Sequence, residues 1–127
     1  KISMILNIQE DFWVTGDRLL LEALFENLLS NSKKALDEGG IIRINCLKNV
    51  VEVEDNGCGI SEKDLPHVCK PFYMSDKARS RKKQGCGLGL ALAERIVMLH
   101  SAQMTIESQL GKGTRIRIIW KSNEEDA

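Results

Sequence analysis

The chain has 127 residues and a mass of 14.2 kDa, room for one ordinary domain. Lysine plus arginine and aspartate plus glutamate both number 18, so formal net charge is zero, with 43% hydrophobic and 28% charged residues. This soluble globular composition argues against a generic polyanion binder, which carries a net basic domain, and holds no apolar run of the ~18–20 residues that span a membrane. The N-terminus has no h-region of a signal peptide, and its first residue is Lys1 rather than methionine, so the sequence reads as an excised piece of something longer.

Ile2, Met4, Leu6 and Ile8 alternate with polar neighbours and predict a half-buried strand over residues 2–8. Asp17 is a candidate N-cap for a long helix whose Leu20, Leu24 and Leu28 share one core-facing side. Gly39-Gly40 is its expected stop. Ile42, Ile44 and Cys46, then Val51 and Val53, predict two strands joined by a tight hairpin at Lys48-Asn49. Ser61 with Asp64 has the form of a capping box opening a short helix to about Cys69. Residues 70–85 carry six basic residues (Lys70, Lys77, Arg79, Arg81, Lys82, Lys83) and one acid, Asp76, and read as a mobile loop. That window is +5, which leaves −5 for the rest.

Gly87 to His100 predicts a second strong helix with Leu88, Leu92, Ile96 and Leu99 on one face. Met104–Glu107 and Thr114–Trp120 predict two closing strands around Gly111-Lys112-Gly113. The acidic tail 122–127 is expected to be disordered, leaving 1–121 as the domain. The order β-α-β-β-α-loop-α-β-β with short hairpins predicts an α+β chain: a mixed, mostly antiparallel sheet covered on one face by about three helices. It is not the regular βαβ alternation of a dinucleotide-binding fold.

Four segments carry chemistry. On the first helix Asn27 and Asn31 are four apart and share a face, with Lys34 three further on. This row suits a hydrated divalent cation and phosphate oxygens, or is a solvated helix face. Asp55-Asn56-Gly57-Cys58-Gly59 follows a strand: a carboxylate there can accept from an exocyclic amine, and the glycines admit a ligand close to the backbone, or it is a plain glycine turn. Gly85-Cys86-Gly87-Leu88-Gly89 opens a helix, where free N–H groups and the helix dipole favour phosphate, or the glycines serve close packing. Gly111-Lys112-Gly113-Thr114 is a turn whose hydroxyl can reach a ligand, or an ordinary hairpin. Cys46, Cys58, Cys69 and Cys86 form no CxxC pair, so a zinc site is not expected and reduced thiols are.

In this order and spacing the four segments resemble the Bergerat-type nucleotide-binding superfamily, and most closely the catalytic ATP-binding domain of bacterial sensor histidine kinases, over roughly residues 2–120. Glu26–Lys34 is similar to that family's N box and Asp55–Ile60 to its first glycine box. Pro71-Phe72-Tyr73 with Asp76–Arg81 is similar to its F box and lid start. Gly85–Leu90 matches its second glycine box and Leu110–Thr114 its closing Gly-x-Gly-Thr. Ser32, where alanine is usual, and Gln84, where glycine is frequent, depart from the pattern and leave its core intact.

The resemblance implies that Asn31 and Asn27 bind Mg²⁺ on the phosphates of ATP and that Lys34 contacts phosphate, with Asn31 and Lys34 closest to the chemistry. It implies that Asp55 accepts the adenine amino group, that Gly57, Gly59 and Ile60 shape the base pocket, and that Thr114 completes it. Phe72 and Tyr73 belong to the nucleotide-binding set, as do the lid cations Lys77, Arg79 or Arg81 and the phosphate-side loop of Gly85, Gly87, Leu88 and Gly89. The implied activity is transfer of the γ-phosphoryl of ATP to a histidine on a separate dimerisation domain, and onward to a response regulator. The implied setting is cytoplasmic, with a full-length homodimer that can be anchored in the inner membrane and a monomeric fragment, and no nucleic-acid partner. His67 and His100 read as a surface residue and a helix-end cap rather than phospho-acceptors. A hydrolase branch is disfavoured because Asn27 stands where that branch carries a water-orienting glutamate, and Glu26 lies about 100° round the helix. A non-catalytic nucleotide sensor and an anti-sigma-type serine kinase are the alternatives.

Overall fold

The computed structural model describes residues 1–36, 39–73 and 89–121. Five strands form one sheet: β1 (Ser3–Ile8), β2 (Ile41–Leu47), β3 (Val50–Asp55), β4 (Gln103–Gln109) and β5 (Gly113–Ile119), in the order β1-β2-β3-β5-β4. β1 runs parallel to β2 and every other neighbouring pair is antiparallel. Two α-helices, α1 (Arg18–Ala35) and α2 (Gly89–Leu99), pack on each other; α1 lies over β3 and β5, and α2 over β4. The result is the expected α+β sandwich, with two α-helices and a short 3-10 turn among the described residues. No described helix is long and apolar enough to cross a membrane.

The core sits between helices and sheet. Leu24 and Leu28 of α1 are fully buried against Ile42, Val53, Ile116 and Ile118 of the sheet and Ala93, Ile96 and Val97 of α2. Paired residues share a face, so the register that sets Val53 opposite Ile116 and Ile116 opposite Ile106 lines up one apolar side across three strands. The opposite side is polar: Arg115 meets Glu54 at 3.2 Å, Arg117 meets Glu52 at 2.5 Å, and the Asn45 amide donates to Glu54 at 3.1 Å.

Asp17 caps α1 as expected, its carboxylate accepting from Leu20 N at 3.1 Å. The same N-cap is tied to the far end of α2. His100 Nε2 accepts the Asp17 backbone N–H at 3.0 Å, and His100 Nδ1 lies 2.8 Å from Ile96 O. This is the arrangement of a neutral ring protonated at Nδ1, so the helix-end histidine acts as an acceptor and not as a cation.

Four expectations are corrected. β1 forms, but it is exposed on both sides, with Leu6 63% exposed, because α1 and α2 are centred over the other end of the sheet. α1 ends at Ala35 rather than near Gly39-Gly40, because Leu36 turns extended and enters the core. The helix expected from Ser61 to Cys69 is a 3-10 turn at Leu65–His67. Ser61 and Asp64 do bond each other, but Pro66 has no N–H to continue a helical ladder. On α2 the buried residues are Ala93, Ile96 and Val97, whereas Leu92 and Leu99 are about half exposed. The small side chain at position 93 lets α1 come close, which outweighs the larger apolar area of the leucine stripe. Leu88 and the tail 122–127 lie outside the described residues.

The face of α2 is open to a direct check. Ala93→Leu should destabilise the domain by about 1–3 kcal/mol through overpacking. Leu92→Ala should change stability by less than about 0.5 kcal/mol. Urea unfolding curves of the two variants measure both; equal losses would restore the leucine face.

Candidate functional site

Asn27 and Asn31 lie one turn apart on α1, both half-buried, and both point toward the start of α2. Their Oδ1 atoms stand 3.6 and 3.5 Å from where a side chain on Gly89 would begin. The Asn31 amide nitrogen is buried and has no hydrogen-bond partner among the described residues. A buried amide without a partner costs about 1–3 kcal/mol, so it marks a place where another polar group belongs. Glu26, the neighbouring carboxylate, is exposed. Lys34 is half-buried on the same helix, one turn beyond Ser30.

Asp55 ends β3. Its carboxylate accepts from Gly57 N at 2.8 Å, and the Ser32 hydroxyl and the Thr114 backbone N–H also favour its charged form. Burial raises the Asp55 carboxyl above its ordinary 3.8, and these three donors pull the other way. A carboxylate offers about four acceptor directions. The Gly57 N–H fills one of them, and the others leave room for an incoming donor.

The loop after Asp55 is clamped on two sides. Cys58 N donates to Ala35 O, the exposed last turn of α1, at 3.0 Å, and Cys58 O accepts from Gly111 N at 2.8 Å. A side chain on Gly57 would come within 2.5 Å of Ala35 O, and one on Gly59, at φ +73°, would strike Gln109 O. Both glycines are therefore required by close backbone approach, on α1 and on the β4–β5 hairpin respectively. Ile60 N donates to the Ser108 hydroxyl at 2.7 Å, and Ser108 Oγ lies 2.8 Å from Thr114 Oγ1.

The sequence-derived site residues thus fall into two adjoining groups. Asn27, Asn31 and Gly89 meet where the helices meet. Asp55, Gly57, Gly59, Ile60 and Thr114 meet where β3, β5 and the end of α1 meet. Tyr73 instead turns its hydroxyl to Asp64, with its ring 5.4 Å from that of His67, and Phe72 is 71% exposed. The Tyr73 and Ser61 hydroxyls hold the Asp64 carboxyl below the usual range. Lys77, Arg79, Arg81, Gly85, Gly87 and Leu88 lie outside the described residues.

Two contributors were not anticipated as part of the site. Ser32 looked like a tolerated departure from a pattern, yet it is buried and its hydroxyl favours the charged form of Asp55. Ser108 belongs to no motif, but the glycine turn places it directly across from Thr114, so hairpin register was the signal that could have found it.

Comparison with known proteins agrees with this geometry. The profile described as "Histidine kinase-, DNA gyrase B-, and HSP90-like ATPase" matches residues 16–124. The chain is 35% identical over 134 residues to the sensor histidine kinase WalK of Bacillus subtilis, covering 98% of this chain and 22% of that protein. It is 34% identical over 110 residues to sporulation kinase C of the same organism, covering 84% of this chain and 24% of the relative. The chain therefore spans under a quarter of the length of these relatives. The solved structure of the mycobacterial sensor histidine kinase MprB superposes with a TM-score of 0.80 at 26% identity, covering 94% of this chain and 82% of that one. The catalytic domain of histidine kinase ThkA shares the fold, with a TM-score of 0.76 at 23% identity over 92% of this chain and 78% of that one. The chain belongs to the histidine kinase-, DNA gyrase B- and HSP90-like ATPase family, as an ATP-binding catalytic domain of the kind found in sensor histidine kinases.

Proposed function

We propose that the groove between the Asn27–Asn31 face of α1, the Asp55–Ile60 loop and the start of α2 binds Mg-ATP, and that the chain donates the γ-phosphoryl to a histidine on a separate dimerisation domain of the same kinase. The observation that carries this reading is the partnerless buried amide of Asn31 facing Gly89, one residue from the serine that holds Asp55. Phosphate-side and base-side groups are thereby supplied by successive residues of one helix.

The donor set suits the implied ion. Carboxamide oxygens are hard neutral ligands, and two of them leave room for the waters and phosphate oxygens that Mg²⁺ retains. Asn31 and Asn27 would hold the ion, which when bound neutralises charge on the phosphates. Lys34 would add a positive charge at the phosphate end. Asp55 would accept from the exocyclic amine of adenine, with Ile60 against the ring and Thr114 closing the pocket. The F-box, lid and second glycine-box residues (Phe72, Tyr73, Lys77, Arg79, Gly85, Gly87 and Leu88) are assigned to the nucleotide by resemblance. Catalysis on this reading is positioning and charge neutralisation, with the nucleophilic imidazole brought by the other domain. The exposed Glu26 supports transfer over hydrolysis, since a carboxylate pointing to solvent is not placed to orient a water at the phosphates.

Calorimetry with Mg-ATP tests the reading directly, and no binding at millimolar ATP would sink it. Asn31→Asp should slow Mg-dependent transfer to a supplied histidine hairpin by about a hundredfold. Its circular dichroism should match the parent, and transfer at the parental rate would remove Asn31 from the metal site.

Asp55→Asn should weaken ATP binding about tenfold, because a charged acceptor is lost. It also has a signature in pH. A carboxyl whose folded pKa is raised weighs against the folded state once pH climbs past 3.8, and has no such effect below it. The stability of Asp55→Asn relative to the parent should therefore improve as pH rises from 3.8 toward neutrality. Thermal melts across that range measure the trend, and a flat or opposite slope would contradict the burial argument.

A further inference from the structure

Ser108 on β4 pairs with Thr114 on β5, which pairs in turn with Asp55 on β3. Three polar side chains therefore stand in a row across three neighbouring strands, at the end of the sheet where the Asp55–Ile60 loop departs. Ser108 is the one of the three that no recognition motif contains.

Its hydroxyl makes three contacts: Ile60 N at 2.7 Å, Gly113 O at 2.9 Å and Thr114 Oγ1 at 2.8 Å. A serine hydroxyl has one proton and two lone pairs. A carbonyl can only accept, so the Ser108 proton goes to Gly113 O. An amide N–H can only donate, so Ile60 takes one lone pair. One lone pair remains, and the Thr114 hydroxyl must donate into it. This is the one assignment in which all three contacts are hydrogen bonds. It saturates Ser108 and commits the only hydroxyl proton of Thr114, leaving Thr114 Oγ1 with lone pairs alone for any ligand. Ionised Asp55 is likewise an acceptor only.

We propose that Ser108 is a positioning residue that sets base selectivity, by locking the Thr114 hydroxyl as an acceptor beside the Asp55 carboxylate. This rests on the reading of the site as an ATP pocket. A group placed between two acceptors has to be a donor. The 6-amino group of adenine brings two N–H bonds, whereas the 6-oxo group of hypoxanthine brings only lone pairs and meets them unpaired. Sites built around a specific hydrogen bond reject analogues that lack it far better than apolar pockets reject a change of size. With Ser108 absent, the Thr114 hydroxyl is released to turn its proton toward a carbonyl, and the rejection of the oxo base weakens.

The test is the ratio of ITP to ATP dissociation constants, measured by calorimetry on the 127-residue chain and its variants. The parent should prefer ATP by at least about tenfold. Ser108→Ala should lower the ratio by about threefold or more, the Asp55 carboxylate keeping the rest of the discrimination, while Ser108→Thr, which keeps the hydroxyl, should retain the parental ratio. Should the alanine variant fail to fold, Ser108→Cys keeps the volume with a poor hydrogen-bonding atom and carries the same expectation. A general loosening of the fold would weaken ATP and ITP alike and leave the ratio alone. A folded Ser108→Ala variant with the parental ratio, or a parent that does not discriminate, overturns the proposal. A parent that binds no ATP overturns the nucleotide reading and this proposal with it.

Discussion

A carboxylate partly withdrawn from water at the end of a central strand must be given donors or lose its charge. Asp55 receives them from three directions: its own loop at Gly57, the helix layer at Ser32 and the next strand at Thr114. Each donor fixes a different piece of the fold in place. The Gly57 bond folds the loop back on the strand end. Ser32 brings the helix layer to the carboxylate, and the β3–β5 register sets Thr114 opposite it. Acceptor capacity is left over on this carboxylate in a half-buried place, and on the proposed reading the exocyclic amine of adenine uses it. The net rise of the Asp55 carboxyl above 3.8 says the same: the donors do not fully offset burial, so the folded chain carries a carboxylate that an added donor can satisfy.

The rest of the architecture keeps that arrangement rigid. Leu24 and Leu28 anchor α1 to the sheet on one side and to Ala93, Ile96 and Val97 on the other. His100 joins the last turn of α2 to the first residue of α1, so the two helices are clamped at that end by a backbone–imidazole bond as well as by packing. The loop 56–60 is held by the last carbonyls of α1 and by the β4–β5 hairpin. A backbone carbonyl left over at a helix end, that of Ala35, is thus used to hold the loop in place.

Features carried by local chemistry were legible in the sequence. The Asp17 cap, the Lys48-Asn49 hairpin, the strand alternation at Ile42–Cys46 and Val51–Val53, and the glycines at 57 and 59 each follow from a requirement that a few neighbouring residues express by themselves. Features decided by what an element meets in three dimensions were not. β1 alternates as a half-buried strand should, yet helices that would bury it lie over other strands. α2 has a convincing leucine stripe, but close approach to α1 favours Ala93 over Leu92. Pro66 sits inside a capping-box segment and holds it to a single 3-10 turn. In the site the same division holds: Asn27, Asn31, Asp55 and Thr114 are visible as motif residues, while Ser32 and Ser108 gain their roles only through partners 23 and 48 positions away in the chain, Asp55 and Ile60.

Asn31 and Ser32 are successive residues, so their side chains leave α1 about 100° apart. One looks across to Gly89 and the other down to Asp55. The helix is pinned at its N-cap by His100 and held along its length by the core. One rotational setting of α1 therefore fixes where both side chains point, and neither can be re-aimed without the other.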